Sequence, residues 1–284
     1  MIPAGFEYTR AKTLAQALTA AATRDTKVLA GGQSLIPLLR FRFAQPKRLV
    51  DIGGLAQLKG IKATPKGVRI GSLVTYRELL DSALLRKQAP LIAEVTEHIG
   101  DWQVRNLGTI GGSVAHADPA SDMPAVLLAL GALITVRSKR GARTIPAAKF
   151  FLGAFSSALK RGELVTDIIV PPLPKGAGSA YSAVKQAASG YPLVAAAAVV
   201  ARSKGTVSQA SLAFTGLSDH AFLAASVSQL IGTQGTADDV THVAEAAAGG
   251  VEPNSDIHAS GDYRLHLAMV TAERALTQAL ERAR

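Results

Sequence analysis

Two short glycine-rich segments constrain the fold of this chain more than any other feature. The first, AGGQSL (residues 30–35), follows an apolar run, and the second, GTIGGS (residues 108–113), again places Gly-Gly beside a serine. Glycine permits positive φ and lets a ligand approach backbone amides with no Cβ in the way. Successive amides in such a turn form a concave anion site, so the pair predicts a clasp for a pyrophosphate, with Ser34 and Ser113 as further donors. Two ordinary tight turns are the alternative.

The usual motifs of nucleotide and metal sites are missing from the sequence. It contains neither the G-x-G-x-x-G fingerprint nor a P-loop, and no G-x-S-x-G element of a hydrolase. None of the six histidines lies within five residues of another, so no H-x-x-x-H metal pair is predicted. A phosphate site in this chain would therefore have an unusual architecture, and we predict neither a metal site nor a catalytic side chain.

Charge and composition narrow the class of protein. The chain has 284 residues, 48% of them hydrophobic, which is enough for one large domain or two of ordinary size. A net charge of +10 would suit nucleic acid or an acidic partner. The basic residues are scattered, however, and aromatic residues make up only 5%, so no stacking platform for nucleic acid is predicted. We expect no nucleic-acid partner.

The absence of cysteine excludes several kinds of chemistry. With no cysteine there are no disulfides, thiolate nucleophiles, iron–sulfur ligands or cysteinyl cofactor links on this chain. A reducing compartment fits, and the first residues lack the apolar core of a signal peptide. The longest apolar run, residues 192–201, is too short to span a bilayer. We expect a cytoplasmic protein without a transmembrane segment, and leave peripheral association with the inner membrane open.

The order of predicted elements gives an α+β fold class in two domains. Capping residues predict helices from Thr13, Thr75 and Pro90, the second reaching residue 87, and a further helix with Asp122 as its N-cap. Strands are predicted at residues 27–30, 48–53, 133–137 and 163–170, with hairpin turns at 65–67 and in RSKRGAR. After PPLPKGAG (residues 171–178), strands at 179–186, 192–203 and 206–214 precede three helical segments, the last at 262–283. We place the domains at residues 1–173 and 174–284.

Five segments in order along the chain carry a family resemblance. They are AGGQSLIPLLRFRFAQPKRLVDIG, RNLGTIGGSVAHADPASDMPAVLLALGA, ELVTDIIVP, KQAASGYPLVAAAA and SDIHASGDYRLHLAMVTAERAL. Together they resemble the FAD-binding medium subunit of the molybdenum hydroxylases, the family of carbon monoxide dehydrogenases and xanthine dehydrogenases. The resemblance implies a two-part FAD-binding domain of the p-cresol methylhydroxylase and vanillyl-alcohol oxidase type. A C-terminal domain with a three-stranded antiparallel sheet and helices would follow it.

The resemblance also implies a set of FAD contacts. They are Ala30, Gly31, Gly32, Gln33, Ser34, Leu35, Thr109, Ile110, Gly111, Gly112, Ser113, Asp122, Val165, Lys185 and Tyr191. For three of these residues a purely structural role is the alternative. Asp122 would then be a helix N-cap, and Val165 and Tyr191 would be core residues. Gln33 stands where some relatives carry histidine, so the implied FAD is non-covalent. His116 and Asp118 suit either turn chemistry or a cofactor contact, whereas Trp102 is expected to pack.

The function implied by the resemblance is electron transfer within a complex. An iron–sulfur small subunit would deliver electrons to FAD on this chain, which would pass them to an external acceptor. The molybdenum cofactor and the [2Fe-2S] clusters would lie on partner subunits, in a heterotrimer that dimerises. Two alternatives stay open: a stand-alone FAD oxidase of the vanillyl-alcohol type, and a non-enzymatic anion-binding scaffold.

Overall fold

The computed structural model describes residues 2–284, and its N-terminal part contains ten strands, eight α-helices and two short 3-10 segments, Ala56–Leu58 and Ala147–Lys149. The strands are β1 Glu7–Arg10, β2 Thr26–Leu29, β3 Arg48–Asp51, β4 Ile61–Thr64, β5 Gly67–Gly71, β6 Leu133–Ser138, β7 Gly141–Pro146, β8 Phe151–Gly153, β9 Ser156–Ser157 and β10 Leu164–Val170. The helices are α1 Leu14–Ala21, α2 Leu35–Arg40, α3 Tyr76–Asp81, α4 Ala83–Gln88, α5 Pro90–Glu97, α6 Trp102–Leu107, α7 Ile110–His116 and α8 Asp122–Ala129.

The C-terminal part holds four strands and two α-helices within the described residues. They are β11 Gly178–Lys185, β12 Pro192–Ser203, β13 Thr206–Thr215, β14 Phe222–Leu223, α9 Ala237–Glu245 and α10 Gly261–Arg282, with a 3-10 segment at Ala225–Leu230 between the last strand and α9. The predicted α+β order, strands and helices first and then strands followed by helices, is confirmed.

Two main sheets of different kinds build the N-terminal part, beside the short two-stranded pair β8-β9. The smaller is parallel, in the order β1-β3-β2, and the larger is antiparallel, in the order β4-β5-β10-β6-β7. The smaller sheet packs against α1 through Leu14, Ala17 and Leu18, one face of a helix capped by the Thr13 side chain. This division agrees with the two-part FAD-binding domain that the family resemblance implies.

Helix α8 lies in the middle of the molecule. All eight of its residues are buried, because it packs against α5 on one side and the C-terminal sheet on the other. A helix that is apolar all round is typical of such a position. The glycine Gly131, with φ 61°, ends the helical region as predicted.

The C-terminal sheet has three long antiparallel strands, as expected, and one short addition. Strand β14 adds only two residues to the edge of β13. Alanines along β12, Ala195 to Ala198, are fully buried, and α10 lies across this sheet. Small side chains allow the helix to approach closely. Gly178 shows how close, because a Cβ there would overlap the Ala279 carbonyl oxygen of α10.

Several local predictions were wrong. Strand β1 was missed, since all four of its residues are exposed and show no alternation. The helix expected from Thr75 to residue 87 begins with the predicted capping box but is interrupted at Ser82, whose side chain caps the separate helix α4. Asp122 is the first residue of α8, and Ser121 occupies the N-cap position.

No helix among residues 2–284 has the length and apolar character needed to cross a membrane.

Candidate functional site

The first glycine segment connects β2 to α2 and packs tightly on the rest of the N-terminal part. Gly32 has φ 74°, a left-handed conformation that favours glycine. A Cβ on Gly31 would overlap the backbone carbonyl of Leu107, immediately before the second segment. Gly31 is therefore required for the close approach of the two segments to each other.

The amides of the first segment have no partner in the protein. Within residues 2–284, the backbone N–H groups of Gly31, Gly32, Gln33 and Ser34 donate no hydrogen bond. The Gln33 side chain turns back and donates from Nε2 to the Gly31 carbonyl at 3.2 Å. A row of free amides that includes a glycine in the left-handed region is a donor set suited to a phosphate.

The second segment differs from the expected open turn, because it is the first turn of helix α7. Its amides are already used: Ile110 donates to the Val74 carbonyl at 3.0 Å and Gly111 to the Ser72 carbonyl at 2.9 Å. The Gly112 amide donates to the Thr109 side chain at 3.1 Å. This segment is therefore not a second nest of free amides, which corrects the predicted arrangement, and its contact with a ligand stays a prediction.

The two glycines of α7 meet different surroundings. A Cβ on Gly111 would come within 2.6 Å of the Ser72 carbonyl oxygen, so this glycine is required by packing against the strand region. A Cβ on Gly112 would meet only the Thr109 hydroxyl oxygen, at 2.9 Å. The surface above Gly112 is otherwise open, which leaves room for a ligand group.

Hydroxyl groups surround the second segment. The Ser113 and Ser121 hydroxyls lie 2.8 Å apart, so Ser113 is partly engaged and links α7 to the start of α8. The buried phenol of Tyr76 neighbours Ser113, and burial raises the pKa of this tyrosine. The Tyr76 amide donates to the Gly108 carbonyl at 3.0 Å, which fixes the entry to the segment.

Asp122 is the most unusual carboxylate near these segments. It is only 5% exposed, and its Oδ1 accepts a hydrogen bond from the Tyr181 hydroxyl at 2.5 Å. The Lys185 ammonium lies 2.9 Å from the same oxygen. Burial raises the pKa of Asp122, while the charge of Lys185 and the hydrogen bond from Tyr181 act against the rise. Asp122 is therefore held in a cluster shared by the two parts of the chain, and it does not occupy the N-cap position of the helix.

Lys185 and Tyr191 bring the C-terminal sheet to this site. Besides Asp122, the Lys185 ammonium donates to the His98 carbonyl at 2.6 Å. Tyr191 lies just past the tip of the β11–β12 hairpin and is 45% exposed, so it is not a core tyrosine. Burial of its ring, followed by the charges of Asp118 and Asp122, raises the pKa of Tyr191. Tyr191 lines the same cleft as the acidic side chain of Asp118.

The remaining predicted contacts differ in their exposure to solvent. Val165 and Ile110 are core residues, 5% and 0% exposed, so their side chains are not open to solvent. Ala30 and Leu35 are half-buried at the ends of the first segment. Trp102, expected to pack, is 57% exposed, with the guanidinium groups of Arg77 and Arg105 about 5 Å from its ring.

His116 is the last residue of α7, and Asp118 lies in the turn that follows it. The His116 Nε2 and Asp118 Oδ2 atoms are 4.0 Å apart, and the His116 ring contacts Phe155 with centroids separated by 5.1 Å. Burial lowers the pKa of His116, and Asp118 opposes the change. Asp118 also accepts from the Ala120 amide at 2.9 Å, which is ordinary turn chemistry. Asp118 and Tyr191 line a cleft of about 480 Å³ that extends toward the loop at residues 254–258.

Sequence reasoning missed Tyr181, Tyr76 and Ser121. Tyr181 precedes Lys185 by four residues on one strand, so both side chains lie on the same face of the sheet. That spacing was a usable signal, but the carboxylate they share lies 59 residues from Tyr181 in the sequence. Among residues 2–284 no group of three His, Asp or Glu side chains is placed to hold a metal ion.

Comparison with known proteins identifies the family. The sequence profile described as the FAD binding domain in molybdopterin dehydrogenase matches residues 4–173. The chain belongs to this family. A second profile, the CO dehydrogenase flavoprotein C-terminal domain, matches residues 179–279. Relatives that match this chain along almost all of its length are named as medium chains, which agrees with the sequence resemblance.

Relatives of this medium-subunit family match over their full length. The glyceraldehyde dehydrogenase medium chain of Sulfolobus acidocaldarius is 39% identical, with 98% of this chain and 99% of the relative covered. The carbon monoxide dehydrogenase medium chain of Hydrogenophaga pseudoflava is 36% identical, with 99% of each covered.

Solved structures of related proteins have the same fold as this chain. A chain in the structure of carbon monoxide dehydrogenase from Hydrogenophaga pseudoflava superposes with a TM-score of 0.97 at 37% identity, covering 100% of both chains. A chain of quinoline 2-oxidoreductase from Pseudomonas putida 86 gives a TM-score of 0.93 at 32% identity, covering 99% of both. The fold described above is therefore that of the medium-subunit family.

Proposed function

We propose that this chain is the FAD-binding electron-transfer subunit of a molybdenum-containing hydroxylase or dehydrogenase complex. The observation that carries the proposal is the row of four free amides at residues 31–34, packed directly against the segment that contains Gly112. When bound, FAD supplies the redox chemistry, and the protein supplies binding, orientation and the electrostatic surroundings.

The donor set suits a dinucleotide held without a metal ion. Four amides and the Ser34 hydroxyl offer hydrogen bonds to the two phosphates, and the open surface over Gly112 gives them room. The proposed contacts are Ala30, Gly31, Gly32, Gln33, Ser34, Leu35, Thr109, Ile110, Gly111, Gly112, Ser113, Asp122, Val165, Lys185 and Tyr191. Of these, Ile110 and Val165 are buried in the core and are proposed to contribute backbone or packing rather than exposed side chains.

The position of the ring system follows from the other end of the site. Lys185 and Tyr191 approach from the C-terminal sheet beside Asp122, so the isoalloxazine is proposed to lie where the two parts of the chain meet. In this place the partly exposed phenol of Tyr191 would exclude water from one side. With no cysteine in the chain, and glutamine at residue 33, binding is proposed to be non-covalent.

Domain limits at residues 1–173 and 174–284 are part of the proposal. The family profiles end at residue 173 and begin again at 179, which supports a boundary in the proline-rich stretch. The C-terminal part also has its own core, formed by residues such as Phe214, Leu230 and Leu276. The opposite face of its sheet packs on the first domain through residues that include Tyr181 and Ala197.

The partners are an iron–sulfur small subunit and a molybdenum-binding large subunit. Relatives named as medium chains are parts of such dehydrogenases, and the full-length match supports the same assembly, proposed as a heterotrimer that dimerises. The molybdenum cofactor and [2Fe-2S] clusters then belong to the partner chains. A cytoplasmic location, with peripheral attachment to the inner membrane as a variant, is proposed for the complex.

Each of the two alternative functions makes its own demand on the protein. A stand-alone oxidase of the vanillyl-alcohol type needs its own substrate pocket with catalytic groups, and a scaffold needs no flavin at all. Purification separates these cases. A yellow protein with a flavin absorbance spectrum excludes the scaffold, and co-purification with two further chains favours the subunit.

The experiment that tests the flavin proposal is reconstitution of the purified full chain with FAD. We expect stoichiometric binding, and release of all flavin into the supernatant on acid precipitation. Flavin that stays with the precipitate would contradict non-covalent binding. A chain that binds no FAD would contradict the function itself.

A further inference from the structure

A buried polar cluster joins the two parts of the chain at one carboxylate. Asp122, at the start of α8, receives both the Tyr181 hydroxyl at 2.5 Å and the Lys185 ammonium at 2.9 Å. Tyr181 and Lys185 belong to β11 and lie four residues apart, on the same face of the strand. One oxygen of one side chain in the N-terminal part thus holds two side chains of the C-terminal sheet.

Tyr181 is fixed independently of this hydrogen bond. It is 5% exposed, its backbone amide donates to the Glu94 side chain at 3.2 Å, and its ring lies 5.8 Å from the ring of His98. Packing and backbone contacts therefore determine where the phenol lies. The hydroxyl can direct the carboxylate because Tyr181 has little freedom to move itself.

One N–H group of the Lys185 ammonium has no acceptor among the described residues. Its ammonium carries three N–H groups, and the described residues accept two hydrogen bonds from it, at Asp122 and at the His98 carbonyl. Its side chain is 20% exposed, so the third N–H has access to the site. The strand continues from Lys185 into the hairpin that carries Tyr191.

We propose that Tyr181 is a positioning residue for the flavin: its hydroxyl holds the Asp122 carboxylate, and through it the Lys185 ammonium, so that the pair sets the reduction potential of the bound FAD. This inference rests on the proposed function, since it requires FAD in the site. Reduction adds negative charge to the flavin ring. Positive potential from the lysine and from the tyrosine O–H dipole stabilises the reduced form, and the carboxylate opposes it.

The sign of two substitutions follows from these charges. Tyr181→Phe removes a donor that offsets the carboxylate, so the reduced flavin loses stabilisation and the reduction potential falls. Asp122→Asn removes the negative charge itself, so the potential rises. A substitution that merely loosens the fold would have no reason to move the potential in opposite directions in the two variants.

The test compares full-length wild type, Tyr181→Phe, Asp122→Asn and the double variant, each reconstituted with FAD. Tyr263→Phe is the matched control, because Tyr263 lies on α10, is 48% exposed and donates no hydrogen bond from its hydroxyl within residues 2–284. Spectroelectrochemistry gives the potential, and thermal unfolding reports the fold.

We expect Tyr181→Phe to weaken binding of reduced relative to oxidised flavin at least fivefold, a fall of about 20 mV for a two-electron couple. Tyr263→Phe should match wild type, and Asp122→Asn should shift the potential upward. Because Tyr181 acts through Asp122, its substitution should have a smaller effect in the Asp122→Asn background.

Three results are distinguishable. An unchanged potential in Tyr181→Phe, with or without a lower melting temperature, overturns the positioning role and leaves the flavin function intact. Shifts in the same direction for both single variants also overturn it. Failure of the wild type to bind FAD overturns the proposed function instead. Should Tyr181→Phe fail to fold, Asp122→Asn still gives a deciding result, because an unchanged or lower potential in that variant would overturn a role that acts through this carboxylate.

Discussion

Gly111 and Gly112 are neighbours in the first turn of α7, yet the absence of their side chains has two different reasons. Gly111 faces the Ser72 carbonyl, and Gly112 faces open space beyond the Thr109 hydroxyl. From sequence both glycines looked like ligand contacts. Only the structure separates them, because the distinction depends on a strand region 39 residues earlier in the chain that no local pattern reveals.

Gly112→Val should therefore release FAD without unfolding the protein. Valine and glycine differ little in helix propensity, so the substitution adds bulk above the site at small cost to the helix. We expect FAD affinity to fall more than tenfold and the melting temperature to change by no more than a few degrees, measured by flavin titration and thermal unfolding.

Gly111→Ala is the matched contrast. Its Cβ would meet backbone that cannot move away easily, a strain of about 1–3 kcal/mol. The melting temperature should therefore fall by several degrees, more than for Gly112→Val. Full retention of FAD by Gly112→Val would contradict the placement of the phosphates over this glycine.

Glu163 offers a separate prediction about acid stability. Arg143 contacts both of its carboxylate oxygens, at 2.8 and 2.7 Å, and the Lys160 amide adds a third hydrogen bond at 2.8 Å. The hydrogen bond from Arg143, more than any other cause, holds the pKa of Glu163 below its ordinary value of 4.5. Because the folded-state pKa is the lower one, this stabilisation is present above about pH 4.5 and is lost as the pH falls through the folded-state value.

Glu163→Gln should flatten the acid limb of the stability curve. Arg143 is 39% exposed, so solvent screening limits the loss at pH 7 to about 1 kcal/mol. As the pH falls from 4.5 through the lower folded-state pKa, the variant and the wild type should converge, as measured by urea unfolding from pH 7 to acid pH. Curves that stay parallel over the whole range would show that the ion pair contributes no pH-dependent stability.

At the scale of elements, α10 is connected to the C-terminal sheet by one buried arginine. Arg264 is 4% exposed and donates to the Leu193 carbonyl at 2.5 Å and to the Gly216 carbonyl at 3.0 Å. It also pairs with Asp256 at 2.7 Å. The start of β12, the end of β13 and the loop before α10 thus share a single side chain.

Arg264→Met should destabilise the C-terminal part by about 3 kcal/mol or more, since two buried carbonyls and one carboxylate lose their donor. Arg274→Met is the control, because Arg274 is exposed on the same helix and forms no ion pair within residues 2–284. Chemical unfolding of both variants measures the difference. Equal stability of the two would contradict the role of Arg264 as the link between these elements.

Elements could be predicted from the sequence where the residues that stabilise them are close together in the chain. Helix α3 was predicted from its capping box, and β12 from its long apolar run, because both signals are local. The start of helix α7 was predicted as an open turn, because its glycines favour a turn and its first amides are satisfied by the distant carbonyls of Ser72 and Val74. The exposed, four-residue β1 had no pattern at all and exists because it pairs with β3.

At the scale of the whole molecule, the proposed flavin site belongs to both parts of the chain. The first provides the free amides and Asp122, and the second provides Lys185 and Tyr191. The glycine segments and their order were visible in the sequence, and so was the family. The Asp122 cluster was not, because Tyr181 reaches it only after the C-terminal sheet packs on α5 and α8.

The claim that this chain is an electron-transfer subunit, and not a complete dehydrogenase, is tested most directly by turnover with a dye acceptor. The purified chain is loaded with FAD and offered aldehydes, purines, N-heterocycles and carbon monoxide, first alone and then with the iron–sulfur and molybdenum subunits. We predict no sustained dye reduction by the chain alone, and turnover of one of these substrates only after both partners are added. Sustained dye reduction by the isolated, FAD-loaded chain would contradict the subunit function and favour the stand-alone oxidase.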